Sequence, residues 1–245
     1  MKPFLILQAR PETNASDEEF VAILEKCRLS INEVCRIRLD REDLSHDVNL
    51  TDYAGIIVGG GPGCISDNKV DKDPVEARIE HRILEILPII TECDLPFMGC
   101  CYGLSLLAHH LGGEVGKAHY SEPVGPSPCQ LTEDGKSDNL TKFLQPEFDA
   151  FVGHKEAVQS LPKSCTVLVE SPACPVQMIR YGQNVYATQF HPEASAKDFE
   201  TRINIYKNHG YFPPEDAKRL IQICNAASVT EPARILRAFA QRYRS

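Results

Sequence analysis

Apolar residues follow two rhythms along this chain. Short runs at Phe4 to Leu7, Glu33 to Arg38 and Tyr53 to Val58 have the length and β-branched character of buried strands. Between and after them the spacing changes to that of helices, with Phe20, Leu24 and Cys27 on one face of the first, and Ile79, Ile83, Ile86, Leu87 and Ile90 on another. Leu95-Pro96-Phe97-Met98 then leads as a strand into Gly99-Cys100-Cys101-Tyr102-Gly103. Leu104, Leu107, Ala108 and Leu111 follow at helical spacing and stop at Gly112-Gly113. Strands alternating with helices build right-handed βαβ units, so the chain predicts a flavodoxin-like α/β fold: an open, mostly parallel sheet with helices on both faces. Beyond Gly113 the runs shorten, at Phe148 to Val152, Cys165 to Glu170, Val176 to Arg180 and Val185 to Gln189, and predict added strands, partly antiparallel.

The remainder is helical. Phe199, Ile203 and Tyr206 share one face, Ala217, Leu220, Ile221 and Cys224 a second, and Ile235, Leu236, Phe239 and Tyr243 a third, with breaks at Pro213-Pro214 and Glu231-Pro232. With 245 residues, one domain is the simplest reading: a core over about 1–196 and a helical extension over 197–245, whose last part packs back on the core.

Charge narrows the partners. Against 26 Lys and Arg stand 34 Asp and Glu, and a net charge of −8 argues against nucleic acid and anionic membranes, leaving small polar molecules. No stretch reaches the roughly 20 apolar residues of a membrane span, and the opening Met1-Lys2-Pro3-Phe4 lacks the features of a signal peptide. The ten cysteines are therefore expected to be reduced thiols of a cytoplasmic protein.

In an α/β sheet the reactive groups gather at the carboxyl ends of the strands. Cys101 is placed there, with glycines two residues before and after it, so the chain can bend sharply and project a thiol into a cleft; the helix that follows is expected to favour the thiolate. His191 follows the apolar run Val185 to Phe190, and Glu193 stands two residues on, across Pro192. An imidazole held by a carboxylate can take a proton from a thiol and return it to a leaving amine, which is acyl-transfer chemistry. The N–H of Tyr102 and a glycine N–H of the turn Gly59-Gly60-Gly61-Pro62-Gly63 are the candidate oxyanion donors. That turn lacks the Gly-Lys-Ser/Thr of a phosphate loop and does not fit the dinucleotide fingerprint. His109 and His110 are adjacent and no Cys-x-x-Cys pair exists, so neither a metal nor a cofactor is expected.

These motifs resemble those of the class I (triad) glutamine amidotransferases, and within that family the glutaminase domain of GMP synthetase. Gly99-Cys100-Cys101-Tyr102-Gly103 is similar to the family's Gly-x-Cys-x-Gly elbow, Gln189-Phe190-His191-Pro192-Glu193 to its Gln-Phe-His-Pro-Glu segment, and Gly60-Gly61-Pro62-Gly63 to its oxyanion loop. Gly153-His154-Lys155-Glu156-x-Val158 resembles its Ser-His-x-Asp-x-Val stretch. The resemblance covers about residues 4–196. It implies a Cys101–His191–Glu193 triad, an oxyanion hole of Gly61 and Tyr102 N–H groups, and substrate contacts at Gly60, Ser105, Gly153 and His154. It also implies that glutamine is hydrolysed through a glutamyl thioester on Cys101 and that ammonia passes to a synthetase.

The chain departs from the pattern in three places: Ser105 stands where the family carries glutamine, Gly153 replaces its serine, and Glu156 its aspartate. No Ser-Gly-Gly-x-Asp-Ser pyrophosphatase loop follows His191, so the ammonia acceptor is expected on a separate synthetase subunit. Two alternatives stay open: a stand-alone γ-glutamyl hydrolase or peptidase using the same residues, and a catalytically idle binding or regulatory module.

Overall fold

The apolar run at the N-terminus forms β1 (Phe4–Gln8), every residue of which is buried, so it must be covered on both faces. The computed structural model describes residues 2–44 and 48–244. The remaining strands are β2 (Val34–Arg38), β3 (Gly55–Val58), β4 (Phe97–Cys100), β5 (Glu114–Gly116), β6 (Gly125–Leu131), β7 (Glu147–Val152), β8 (Ala157–Ser160), β9 (Cys165–Glu170), β10 (Met178–Tyr181) and β11 (Val185–Thr188). The helices are α1 (Thr13–Cys27), α2 (Pro74–Glu92), α3 (Tyr102–His110), α4 (Glu133–Ser137), α5 (Ala196–Tyr206), α6 (Ala217–Ala226) and α7 (Pro232–Tyr243). One sheet of nine strands runs in the order β2-β1-β3-β4-β11-β10-β9-β6-β7, and β5 and β8 pair separately.

Its first five strands are parallel, the arrangement expected of successive βαβ units, and β10, β9, β6 and β7 continue it antiparallel. Side chains alternate across this sheet. Phe4, Ile6, Ile57, Met98 and Tyr186 pack with α1 and α7, whereas Leu5, Leu7, Val58, Phe97 and Ala187 pack with α2 and α3. Helices thus cover both faces, as the pattern predicts.

The C-terminal helices do more than decorate the core. Ile235, Leu236 and Phe239 of α7 are wholly buried against Phe4 and its neighbours, so α7 completes one face of the sheet. Helices α5 and α6 form a third apolar cluster with Val124, Phe151 and Ala194, beside the end of β7. No helix among the described residues is long and apolar enough to cross a membrane.

The register places the site. Thr188 of β11 lies opposite Cys100 of β4, so the residues after each strand, Cys101 and Gln189 to Glu193, emerge side by side at one edge of the parallel sheet. The loop after β3, beginning at Gly59, emerges from the next strand over.

Candidate active site

The turn at Cys101 is strained. Its φ of 52° and ψ of −90° lie where side chains are seldom tolerated, and only Arg28 and Asp94 share a positive φ among the described non-glycine residues. Gly99 makes the turn sterically feasible: a Cβ there would stand 2.9 Å from the Gly103 carbonyl carbon. A Cβ at Gly103 would make only ordinary contacts with Val58, so of the two flanking glycines the first is the tighter requirement. Cys101 N–H donates to the Thr188 carbonyl at 2.7 Å, tying the elbow to β11. Its own carbonyl accepts from Leu104 and Ser105 N–H, at 2.9 and 3.3 Å, while Tyr102 N–H sits in the first helical turn, where no intrahelical acceptor exists.

Beyond β11, His191 N–H donates to the Phe151 carbonyl at 2.9 Å, anchoring the segment to β7. Its Nδ1 lies 2.9 Å from Glu193 Oε1. A carboxylate accepts, so Nδ1 carries the proton and Nε2 is left with its lone pair. Arg202 of α5 brings Nη2 to 2.9 Å from the same carboxylate oxygen, and Phe199 sets its ring edge against the imidazole with centroids 5.6 Å apart. The side-chain amide of Gln189 donates to Cys101 Sγ at 3.7 Å.

Burial dominates the electrostatics. Cys101, His191 and Glu193 are 6, 3 and 0 % exposed. Burial pushes the Cys101 thiol up to about 12, against a smaller downward pull from Arg10, so the expected preference for thiolate is reversed: the desolvation of a charged sulfur outweighs the helix N-terminus. Burial likewise lowers the His191 imidazole below its usual 6.5, despite Glu193. Burial alone would raise Glu193, but the charges of His191 and Arg202 override it and hold the carboxyl well below its ordinary range. The resting site is a neutral thiol, a neutral imidazole and an ionised carboxylate.

The loop after β3 packs against this assembly. Gly59 N–H donates to the Leu7 carbonyl at 3.0 Å, and Gly60 N–H to Oε2 of Glu19 at 3.2 Å, a wholly buried side chain of α1 that also takes Arg10 Nε at 2.7 Å. Close approach explains the glycines: a Cβ on Gly60 would lie 2.7 Å from His191 Cε1, and one on Gly61 2.8 Å from the Ala9 carbonyl oxygen. The Tyr102 ring packs on Gly61 and Gly63 and its hydroxyl donates to Glu80 at 3.1 Å, joining elbow and loop.

Around Cys101 lies a narrow pocket walled by Gly61, Ser105, His154, Lys155, Gln189 and Tyr211, among others. Ser105 and Gly153 reach its wall, whereas Gly60 lies against His191 and is not part of that wall. Both ring nitrogens of His154 are occupied, Nδ1 at 2.9 Å from the Glu156 carbonyl and Nε2 at 3.0 Å from Glu122. The Glu156 carboxylate accepts from Ile65 N–H, Ser66 N–H and Ser66 hydroxyl at 3.0, 3.0 and 2.7 Å, so it fastens the loop beyond Gly63.

Several residues here carry no motif. Arg10 follows β1 at the same sheet edge, and Glu19 and Arg202 sit on the buried faces of α1 and α5; a charge on an apolar helical stripe is the signal that marks them. Glu122 gathers hydrogen bonds from His154, Ser127, Ser171 and Gln177, and with His154 and Cys174 forms a cluster whose ligand-type atoms lie within 4.8 Å of one another. Four donors already satisfy its carboxylate, which marks the cluster as a buried hydrogen-bond hub.

Comparison with known proteins shows the family. The family model for Glutamine amidotransferase class-I matches residues 18–208. The GMP synthase [glutamine-hydrolyzing] of Neisseria gonorrhoeae is 28 % identical over 142 residues, 58 % of this chain and 24 % of that protein. The enzyme of the same name from Geobacillus kaustophilus is 32 % identical over 150 residues, 61 % of this chain and 26 % of its own. The chain thus spans about a quarter of the length of these curated relatives. A glutamine amidotransferase from Thermotoga maritima superimposes with a TM-score of 0.76 over 99 % of this chain and 98 % of its own, at 18 % identity. A glutamine amido transferase from Methylobacillus flagellatus does so at 0.70, over 99 % and 94 %, at 20 % identity. With the family's sequence pattern spread over most of its length and the family's fold in its sheet, the chain belongs to the class-I glutamine amidotransferases.

Proposed function

We propose that this protein hydrolyses the side-chain amide of glutamine through a thioester on Cys101 and passes the ammonia to a separate synthetase. The observation that carries the reading is the pairing of the strained Cys101 elbow with the His191–Glu193 couple on the adjoining parallel strand. His191 Nε2 takes the thiol proton as sulfur attacks the amide carbon, which lets a thiol of high pKa react without a standing thiolate. Glu193 stabilises the imidazolium that forms, and Arg202 keeps Glu193 ionised. The carbonyl oxygen, now bearing charge, meets Gly61 and Tyr102 N–H, both preset by the packing of the Tyr102 ring on the loop. His191 then protonates the nitrogen, ammonia leaves, and water attacks the thioester to release glutamate.

Lys155 and the small Ser105 wall of the Cys101 pocket suit the charged and compact parts of a glutamyl group. The synthetase partner is drawn from the curated relatives, whose names describe a glutamine-hydrolysing synthase and of which this chain matches only about a quarter. The test is release of glutamate and ammonia from glutamine by the purified chain. Cys101→Ala is expected to reduce it by on the order of 10³-fold or more, because nucleophile and base act as a unit. Turnover equal to that of the unaltered protein would overturn the assignment.

A further inference from the structure

Glu80 is a buried carboxylate that the chemistry above leaves unused. It lies among the buried Ile79, Ile83 and Ile90 of α2 and is 8 % exposed. Its Oε2 accepts from Lys72 Nζ and, at 3.1 Å, from the Tyr102 hydroxyl. Lys72 also donates to the Ile65 carbonyl at 3.2 Å, and its side chain is as buried as its partner's. An apolar pair of similar volume is often as stable as a buried ion pair or more so, which makes stability alone a poor reason for this one.

Tyr102 shows what the pair holds. It follows the nucleophile in the chain, and its ring leaves only glycine-sized room at the loop after β3. A Cβ on Gly61 would stand 3.3 Å from ring carbon Cδ1, and one on Gly63 2.9 Å from the hydroxyl oxygen. One residue therefore carries one of the two oxyanion donors and packs on the residue that carries the other. A ring free to swing would let the Gly61 peptide drift away from Tyr102 N–H. Burial and the facing Glu80 push the phenol well above its usual 10, so the hydroxyl stays a donor.

We infer that Glu80, backed by Lys72, is a positioning residue that sets the spacing of the Gly61 and Tyr102 N–H groups through the Tyr102 hydroxyl. This rests on the thioester reading above. Glu80 acts through Tyr102 alone, on donors that matter most once charge has developed on the carbonyl oxygen. Its contribution therefore belongs to the transition state, so kcat carries it and KM does not.

The experiment measures kcat and KM for glutamine in the full chain and in two variants. Tyr102→Phe removes only the hydroxyl, and Lys72→Met/Glu80→Leu removes the pair without leaving a lone charge. Beside each, the rate at which iodoacetamide alkylates Cys101 is read from the mass of its peptide. That displacement at a saturated carbon builds no oxyanion, so it needs the nucleophile but not the hole. Each variant is expected to lower kcat about tenfold, a part of the roughly 10²- to 10³-fold lost with a whole oxyanion donor, with KM and the alkylation rate within about twofold. The triple variant should lose no more than either, because both changes break one chain of contacts. Should the Lys72 and Glu80 variant not fold, Tyr102→Phe decides alone through its kcat and alkylation rate. An unchanged kcat in Tyr102→Phe overturns the role of Glu80, as do losses that multiply in the triple variant or an alkylation rate that falls in step with kcat. Each of these leaves the unaltered protein hydrolysing glutamine and the thioester reading standing. Absence of glutamine hydrolysis by the unaltered protein overturns both.

Discussion

At Cys101 stability and reactivity pull in opposite directions. A side chain at φ 52° costs roughly 1–2 kcal/mol of backbone strain, and the residue is held there by the Thr188 carbonyl, the Gly99 contact and the first turn of α3. Glycine has no such cost, though it loses more freedom on folding. Cys101→Gly should therefore be more stable than Cys101→Ala by about 1 kcal/mol, roughly 2–4 °C in melting temperature for a chain of this size, with both inactive. A calorimetric scan of the two variants checks this; an alanine variant as stable as the glycine one would mean the elbow stores no strain. Cys101, His191, Glu193 and the glycines were legible in the sequence because each needs a fixed residue type at a fixed strand end. Arg202 was not, since its place beside Glu193 depends on how α5 docks beneath the sheet edge.

Among the elements, the strands of the parallel half were legible nearly to the residue, and those of the antiparallel half only in part. β6 contains Pro126 and Pro128, which argue against a strand; it is tolerated because pairing with β9 is confined to Gln130 and Leu131, beyond both prolines. β5 and β8 are too short and polar to announce themselves, and pair across some forty residues of chain. The clamp of α1 on the loop after β3 was equally silent. Glu19 fixes Gly60 N–H and neutralises Arg10, whose charge acts on the Cys101 sulfur. Glu19→Gln keeps an acceptor for Gly60 but frees the charge of Arg10, which should lower the thiol pKa. The rate of alkylation by iodoacetamide is then expected to rise at a lower pH than in the unaltered protein, while glutamine turnover falls roughly tenfold as the loop loses a charge-assisted anchor. An alkylation profile that does not move would show that Glu19 has no electrostatic reach to the thiol.

For the whole molecule, buried titratable groups bracket the pH range of stability. Burial lowers His191 in the fold; Glu122 and Glu193, which burial alone would raise, are lowered by their own partners, His154, Ser127 and Ser171 for the first and His191 and Arg202 for the second, so the unfolded chain binds protons more readily than the folded one. Stability therefore falls with pH below about 6.5 through His191 and more steeply below about 4.5 through the two carboxyls. The opposite holds for the thiols. All ten cysteines are free, and burial pushes Cys27, Cys64, Cys101 and Cys174 each up to about 12. Each stays protonated in the fold while its unfolded counterpart ionises near 9, so its contribution is intact below pH 9 and is lost as pH rises toward 12. Each thiol removes up to about 1.4 kcal/mol per pH unit in that window, and four together exhaust an ordinary folding free energy of roughly 5–15 kcal/mol within a few units. Urea midpoints should accordingly form a plateau between about pH 7 and 9, with the alkaline limb steeper than in a protein without buried thiols. Cys174→Ala, outside the triad, should flatten that limb by about one thiol's share, and a midpoint unchanged up to pH 11 in the unaltered protein would mean that the sulfurs are wetter than their packing indicates.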